Sequence, residues 1–243
     1  MKKRSASDAS GTVSLADEDE VKKVLVDSVM GLWEVVNGLT RLRPSKKERY
    51  RVSIFGSARV PKGSWVYEEV AGLSHALTDL GCDIVTGGGP GLMQAANEGA
   101  SRARARGRGR SMGVGIALPF EQSLNPFVEQ AFEHRTFFTR LHQFVLMSDA
   151  FVVTPGGVGT ALELLMIWQL LQVRHLEERT PLILVGKMYA DLVGWAKKSM
   201  LDPAFPLASP EDMEIPLCVN TADEAVAAIR KHQASWRKAQ RRR

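Results

Sequence analysis

Two glycine-rich stretches are places where the backbone itself could do chemistry: Gly87-Gly88-Gly89-Pro90-Gly91-Leu92-Met93 and Pro155-Gly156-Gly157-Val158-Gly159-Thr160. Glycine lets the main chain approach a ligand closely, and amides left free at the start of a helix favour an anion. The second stretch adds a hydroxyl, Thr160, at the expected helix entry. One such turn can be purely geometric. Two on adjacent strand ends point to a phosphate-bearing ligand. Neither carries the G-x-G-x-x-G fingerprint with an acidic residue after the next strand, nor G-x-x-x-x-G-K-[ST], which sets aside NAD-dependent dehydrogenases and P-loop ATPases.

Two charged side chains accompany these turns. Thr160-Ala-Leu-Glu163 has the spacing of a capping box, in which a glutamate bonds back to the helix cap. The same carboxylate could instead stabilise positive charge on a sugar or activate a water. Arg140 lies about 100° from the centre of the apolar face formed by Phe137, Phe138, Leu141, Phe144 and Val145, at the flank of the buried stripe. A surface salt bridge and a ligand contact both fit that place. His75, His134, His142, His175 and His232 are scattered without metal-ligand spacing, so no metal is assigned.

The elements that must hold these groups alternate in type. Strands are expected at 51–55, 83–86, 112–118, 150–154, 181–185 and 215–219. Helices are expected at 65–80, 92–104, 137–147, from about Ala161 to Leu171, at 189–200 and from near Thr221. This alternation predicts an α/β fold: one Rossmann-like, doubly wound, mostly parallel sheet with helices on both faces. Ligands in such sheets bind at the C-terminal ends of strands, where strand order reverses, and both glycine turns follow strands. Outside this domain, taken as 50–235, residues 1–20 read as a disordered segment rich in Ser, Asp and Glu. Residues 21–44 read as an amphipathic helix (Val21, Val24, Leu25, Val29, Leu32, Val36, Leu39), and 236–243 as a basic tail.

Composition narrows the class further. With 44% hydrophobic and 24% charged residues, the chain has an ordinary globular balance, and no apolar run approaches a membrane span. The basic start is followed by polar residues rather than an apolar core, unlike a secretory signal. Cys82 and Cys218 offer no C-x-x-C pair and no disulfide framework, which fits a reducing cytoplasm. The net charge of +5 concentrates in Arg102, Arg104, Arg106, Arg108 and Arg110 and in the tail; neither run has interleaved aromatics, so nucleic acid is not the expected partner.

Taken together, the two turns resemble the signature of the Lonely Guy (LOG) family, G-G-G-x-x-G-x-M with P-G-G-x-G-T-x-x-E. Phe55-Gly56-Ser57-Ala58-Arg59 and Ser148-Asp149-Ala150-Phe151 also fit, and the resemblance covers about Arg51 to Leu201. Proteins of that family were often labelled lysine decarboxylases, whereas its characterised members are phosphoribohydrolases acting on cytokinin nucleotides or on AMP and related monophosphates. The resemblance implies an N-glycosidase without metal or cofactor, converting a nucleoside 5′-monophosphate to free base and ribose 5-phosphate. It implies catalytic roles for Glu163 and Arg140. It also implies substrate or phosphate contacts at Ser57, Gly88, Gly89 and Met93, and at Gly156, Gly157, Val158, Gly159 and Thr160. A homo-oligomer, dimeric or larger, is implied as well. One departure is Leu141, standing where the family's R-K pair has its lysine. The alternative is a non-catalytic carrier of nucleotide or molybdenum cofactor, which a related group provides on the same fold.

Overall fold

The computed structural model describes residues 15, 17–39, 49–104, 109–116 and 124–241. Its elements in chain order are α1 (Glu18–Leu39), β1 (Arg51–Phe55), α2 (Trp65–Asp79), β2 (Asp83–Thr86), α3 (Leu92–Arg104), β3 (Ser111–Ile116), β4 (Gln130–His134), α4 (Phe137–Met147), β5 (Ala150–Val153), α5 (Val158–Gln172), β6 (Leu182–Val185), α6 (Lys187–Met200), β7 (Pro216–Val219) and α7 (Ala222–Arg241). The chain divides into two compact units, Met1–Ser45 and Lys46–Arg243.

In the larger unit the strands form one seven-stranded parallel sheet in the order β4-β3-β2-β1-β5-β6-β7. Period-two alternation gives each face its own core. Val52, Ile54, Ile84, Ala150 and Val152 pack with α2, α3 and α7, for example against Leu73, Leu77, Ala96 and Ile229. Phe55, Val85, Val114, Phe151 and Val153 pack with α4, α5 and α6, against Phe144, Leu164, Ile167 and Val193. The result is the expected doubly wound, Rossmann-like sheet.

Local chemistry sets the helix entries. Ser64 caps α2, its side chain accepting from the Tyr67 amide at 3.3 Å, and Thr136 caps α4, accepting from the Thr139 amide at 3.2 Å. One strand was not expected. β4 (Gln-Ala-Phe-Glu-His) pairs only with β3 at the sheet edge, where no residue is buried, so it lacks the apolar run that marks inner strands. The residues expected as a basic tail continue α7 through Arg241; Arg237 donates to the Leu80 carbonyl at 2.8 Å, and Trp236 packs edge-on against Tyr50.

In the smaller unit, α1 carries Glu18, Asp19 and Glu20 in its first turn, where the helix dipole favours acidic groups. The expected disordered segment lies outside the described residues up to position 14, and the expected helix is outside them after Leu39. No helix among the described residues is long and apolar enough to cross a membrane.

Candidate functional site

Strand order reverses between β1 and β5, which opens a crevice at their C-terminal ends. The chain leaving β1 stitches the two glycine turns together there. The Ser57 amide donates to the Pro155 carbonyl at 3.0 Å, and the Ser57 carbonyl accepts from the Leu92 amide at 2.8 Å. Gly91, with φ +68°, lies so close under Ser57 and Ala58 that a side chain would collide with their backbone. The turns were expected on adjacent strand ends. They follow β2 and β5, with β1 between them, so they face each other across two strand spacings, roughly 10 Å.

The first turn is held from inside the protein. The Gly88 amide donates to Thr86 Oγ1 at 2.9 Å, and its carbonyl accepts from the Asn125 amide at 2.8 Å and from Asn125 Nδ2 at 3.0 Å. Asn125 Nδ2 also reaches the Gly89 carbonyl and Asn97 Oδ1, each at 3.0 Å. Asn97 in turn accepts from Thr86 Oγ1 at 2.6 Å and donates to Ser111 Oγ at 2.8 Å. All of these side chains are buried. Gly88 has φ +73°, and a Cβ there would strike Leu124. It shapes the turn with both its backbone groups already engaged. Gly87, Gly89 and Met93 are the half-buried part of the turn, with Met93 folded back over the two glycines.

The second turn is built differently. α5 starts at Val158, with Gly157 as a cap that has no side-chain bond, so Thr160 and Glu163 do not form a capping box. Thr160 falls in the first turn of the helix, buried over Gly156, and Glu163 lies in the second turn. The amides of Val158, Gly159 and Thr160 therefore have no acceptor within the helix. Gly157, Val158 and Gly159 are exposed. Tyr189, from α6, supports the turn from behind by donating its hydroxyl to the Gly156 carbonyl at 2.9 Å.

Arg140 joins these parts. Its Nε donates to the Val114 carbonyl of β3 (2.9 Å), its guanidinium lies 5.3 Å from the Phe144 ring centre, and Nη1 meets Glu163 Oε1 at 3.3 Å. The other end of the guanidinium sits directly over Gly87, where a side chain would displace Arg140 and Met93. Glu163 is 8% exposed. Burial pushes its carboxyl up to about 7, against the opposing pull of Arg140. His134 on β4 is held below the ordinary histidine range by burial and by the charge of Arg140, so it is mostly neutral at pH 7. Burial, and then the Glu163 charge, raise the Tyr189 phenol.

The residues singled out from sequence thus converge. Arg140, Glu163, Met93 and both turns border one crevice, and Ser57 lies between the turns with its hydroxyl accepting from the Arg59 amide at 3.1 Å. Asn97, on α3, is buried under the first turn. Leu141 is buried in the core side of α4. Sequence reasoning missed Asn125 and Tyr189. The Asn125-Pro126 pair signalled a turn, but nothing local identified its partner 36 and 37 residues away. Among the described residues no cluster of histidine, cysteine, aspartate or glutamate could hold a metal ion.

A parallel doubly wound sheet, with two glycine turns at strand C-terminal ends and a buried arginine–glutamate pair between them, defines a Rossmann-like protein. Residues 93–229 match the family described as "possible lysine decarboxylase". The chain belongs to this family, the LOG family. It is 31% identical over 140 residues to the pyrimidine/purine nucleotide 5′-monophosphate nucleosidase of Escherichia coli K12, a match covering 56% of this chain and 30% of that protein. The chain therefore corresponds to under a third of that relative. Similar solved structures include the molybdenum cofactor binding protein of Rippkaea orientalis (TM-score 0.55, 17% identity, 76% of this chain and 98% of that one). Another is the molybdenum cofactor carrier protein of Chlamydomonas reinhardtii (TM-score 0.54, 17% identity, 77% and 99%). At such identities these two report the fold.

Proposed function

We propose that the chain hydrolyses the N-glycosidic bond of a nucleoside 5′-monophosphate, AMP or a cytokinin nucleotide, to free base and ribose 5-phosphate. The observation that carries this is the buried Arg140–Glu163 pair between the two glycine turns, 3.3 Å apart and beside the start of α5. The phosphate rests on the free amides of Val158, Gly159 and Thr160, where the helix dipole also favours an anion. The ribose then faces Glu163, and the base extends toward Gly89 and Met93.

As the bond between C1′ and the base nitrogen breaks, positive charge grows on the ribose, and a carboxylate next to it lowers the barrier. Water adds its oxygen to C1′ and gives up one proton; the base leaves with the bonding electron pair and gains one proton. Glu163 in its ionised form orients and deprotonates that water. Arg140, anchored by the Val114 carbonyl and Phe144, keeps the carboxylate aimed and positions the substrate near C1′. The nucleosidase relative from Escherichia coli supports this class of substrate. We place the reaction in the cytoplasm and in a homo-oligomer; the exposed Leu162 and Leu165 on α5 support a subunit contact close to the crevice.

The test is incubation of the purified protein with AMP and a panel of other nucleoside monophosphates, following free base by chromatography, with Glu163→Gln alongside. Base released by the wild type and not by the folded variant establishes the glycosidase. Binding of a monophosphate without release by either protein replaces it with the carrier reading.

A further inference from the structure

We propose that His134 is a further catalytic residue, donating a hydrogen bond to the departing base. The assignment rests on the proposed hydrolysis. In that reaction the base takes up the bonding electrons, and neither Glu163 nor Arg140 is placed to receive the charge it gains.

The strand register places His134. It is the last residue of β4 and pairs with Ile116, as Phe132 pairs with Val114. Residues two apart on a strand share a face, so His134 lies on the face of Phe132. That face is the one α4 covers, because Val114 and Phe132 pack in one core with Phe144. Arg140 takes hold of the sheet there, through the Val114 carbonyl. The strands run parallel, so His134 stands about 7 Å beyond Phe132 toward the crevice end of the sheet. Glu163 therefore enters from the β5 side, Arg140 lies over Gly87, and His134 enters from the β4 side. A nucleotide with phosphate on α5 and ribose at Glu163 and Arg140 directs its base toward His134.

The imidazole is free for that task. It is half-buried, and among the described residues neither ring nitrogen has a hydrogen-bond partner. Burial, and then the cation of Arg140, disfavour its charged form, and a neutral imidazole carries one N–H donor. As the bond from C1′ to the base breaks, both electrons pass to the base and spread over its ring nitrogens. A donor fixed at one of those nitrogens stabilises the charge while keeping its own proton. The base then takes its proton from solvent, and Glu163 returns to solvent the proton it took from water.

The experiment is steady-state kinetics of the full-length chain and two variants on AMP and the panel of other nucleoside monophosphates. His134→Ala should lower kcat for AMP about 10²-fold, the usual worth of one positioned donor, with KM held within about twofold. Among the substrates cleaved, the loss should be greatest for the most basic departing base. His134→Gln keeps an N–H donor on a side chain of similar length and should recover most of the loss. An equal loss for every base would make His134 a merely structural residue and overturn the proposal. So would His134→Gln performing no better than His134→Ala, or kcat unchanged in both. Each of those results leaves the hydrolase standing, whereas no base released by the wild type overturns the hydrolase and this assignment together.

Discussion

The two glycine turns look alike in sequence and do opposite work. In the turn after β2 the polar groups of Gly88 are spent inside the protein, on Thr86 and Asn125, and its positive φ is part of a buried network. In the turn after β5 the cap has no side-chain bond, Gly157, Val158 and Gly159 are exposed, and the first amides of α5 have nothing inside the helix to accept them. The first turn is a mould. The second is an open surface. Glycine supplies shape in one and access in the other, a difference that composition alone does not reveal.

The largest effect tests what lies between the turns. Glu163→Gln should lower kcat by roughly 10²–10⁴-fold, the usual worth of a positioned general base, while the melting-temperature rise caused by AMP persists. In the wild type, kcat/KM should climb as pH rises through about 7 and Glu163 ionises. The sign for stability is opposite. Its folded pKa of about 7 lies above the ordinary glutamate value of 4.5, so the stability tied to the protonated form is full below about 4.5 and lost as pH rises through 7. Glu163→Gln should accordingly melt higher than the wild type at pH 8, with the gap narrowing at pH 5.

Next come the substitutions that should separate the turns. Asn125→Ala leaves the Gly88 and Gly89 carbonyls and Asn97 short of a donor, and should cost about 1–3 kcal/mol in chemical denaturation. Gly88→Ala forces a side chain into a left-handed conformation and against Leu124, with a loss also of about 1–3 kcal/mol. Gly159→Ala meets open space in the first turn of α5, so the melting temperature should hold within the error of calorimetry. Its expected effect is the smallest, a several-fold rise in KM for AMP, because the added methyl crowds the surface offered to phosphate. A stability loss at Gly159 matching that at Gly88 would erase the distinction between mould and surface.

Much of this was legible without a structure, for identifiable reasons. Inner strands such as β5 (Ala-Phe-Val-Val) are covered on both sides, so they appear as unbroken apolar runs. Glycine clusters after them mark turns because few other residues tolerate those geometries. β4 escaped notice because an edge strand with exposed faces needs no apolar run. The capping-box reading of Thr160 and Glu163 failed because the spacing also fits a helix that begins one turn earlier, and α5 starts at Val158.

By itself the sequence determined the alternation of strands and helices and the doubly wound sheet, since hydrophobic period and turn chemistry are local properties; Arg140 and Glu163 were grouped with the glycine turns only through the family resemblance. Tertiary structure alone decided that β1 stands between the two turns, that Asn125 braces one and Tyr189 the other, and that Arg140 meets Glu163 at 3.3 Å in a buried setting. Those relations depend on strand order and on desolvation, and both arise only when distant segments close over one another.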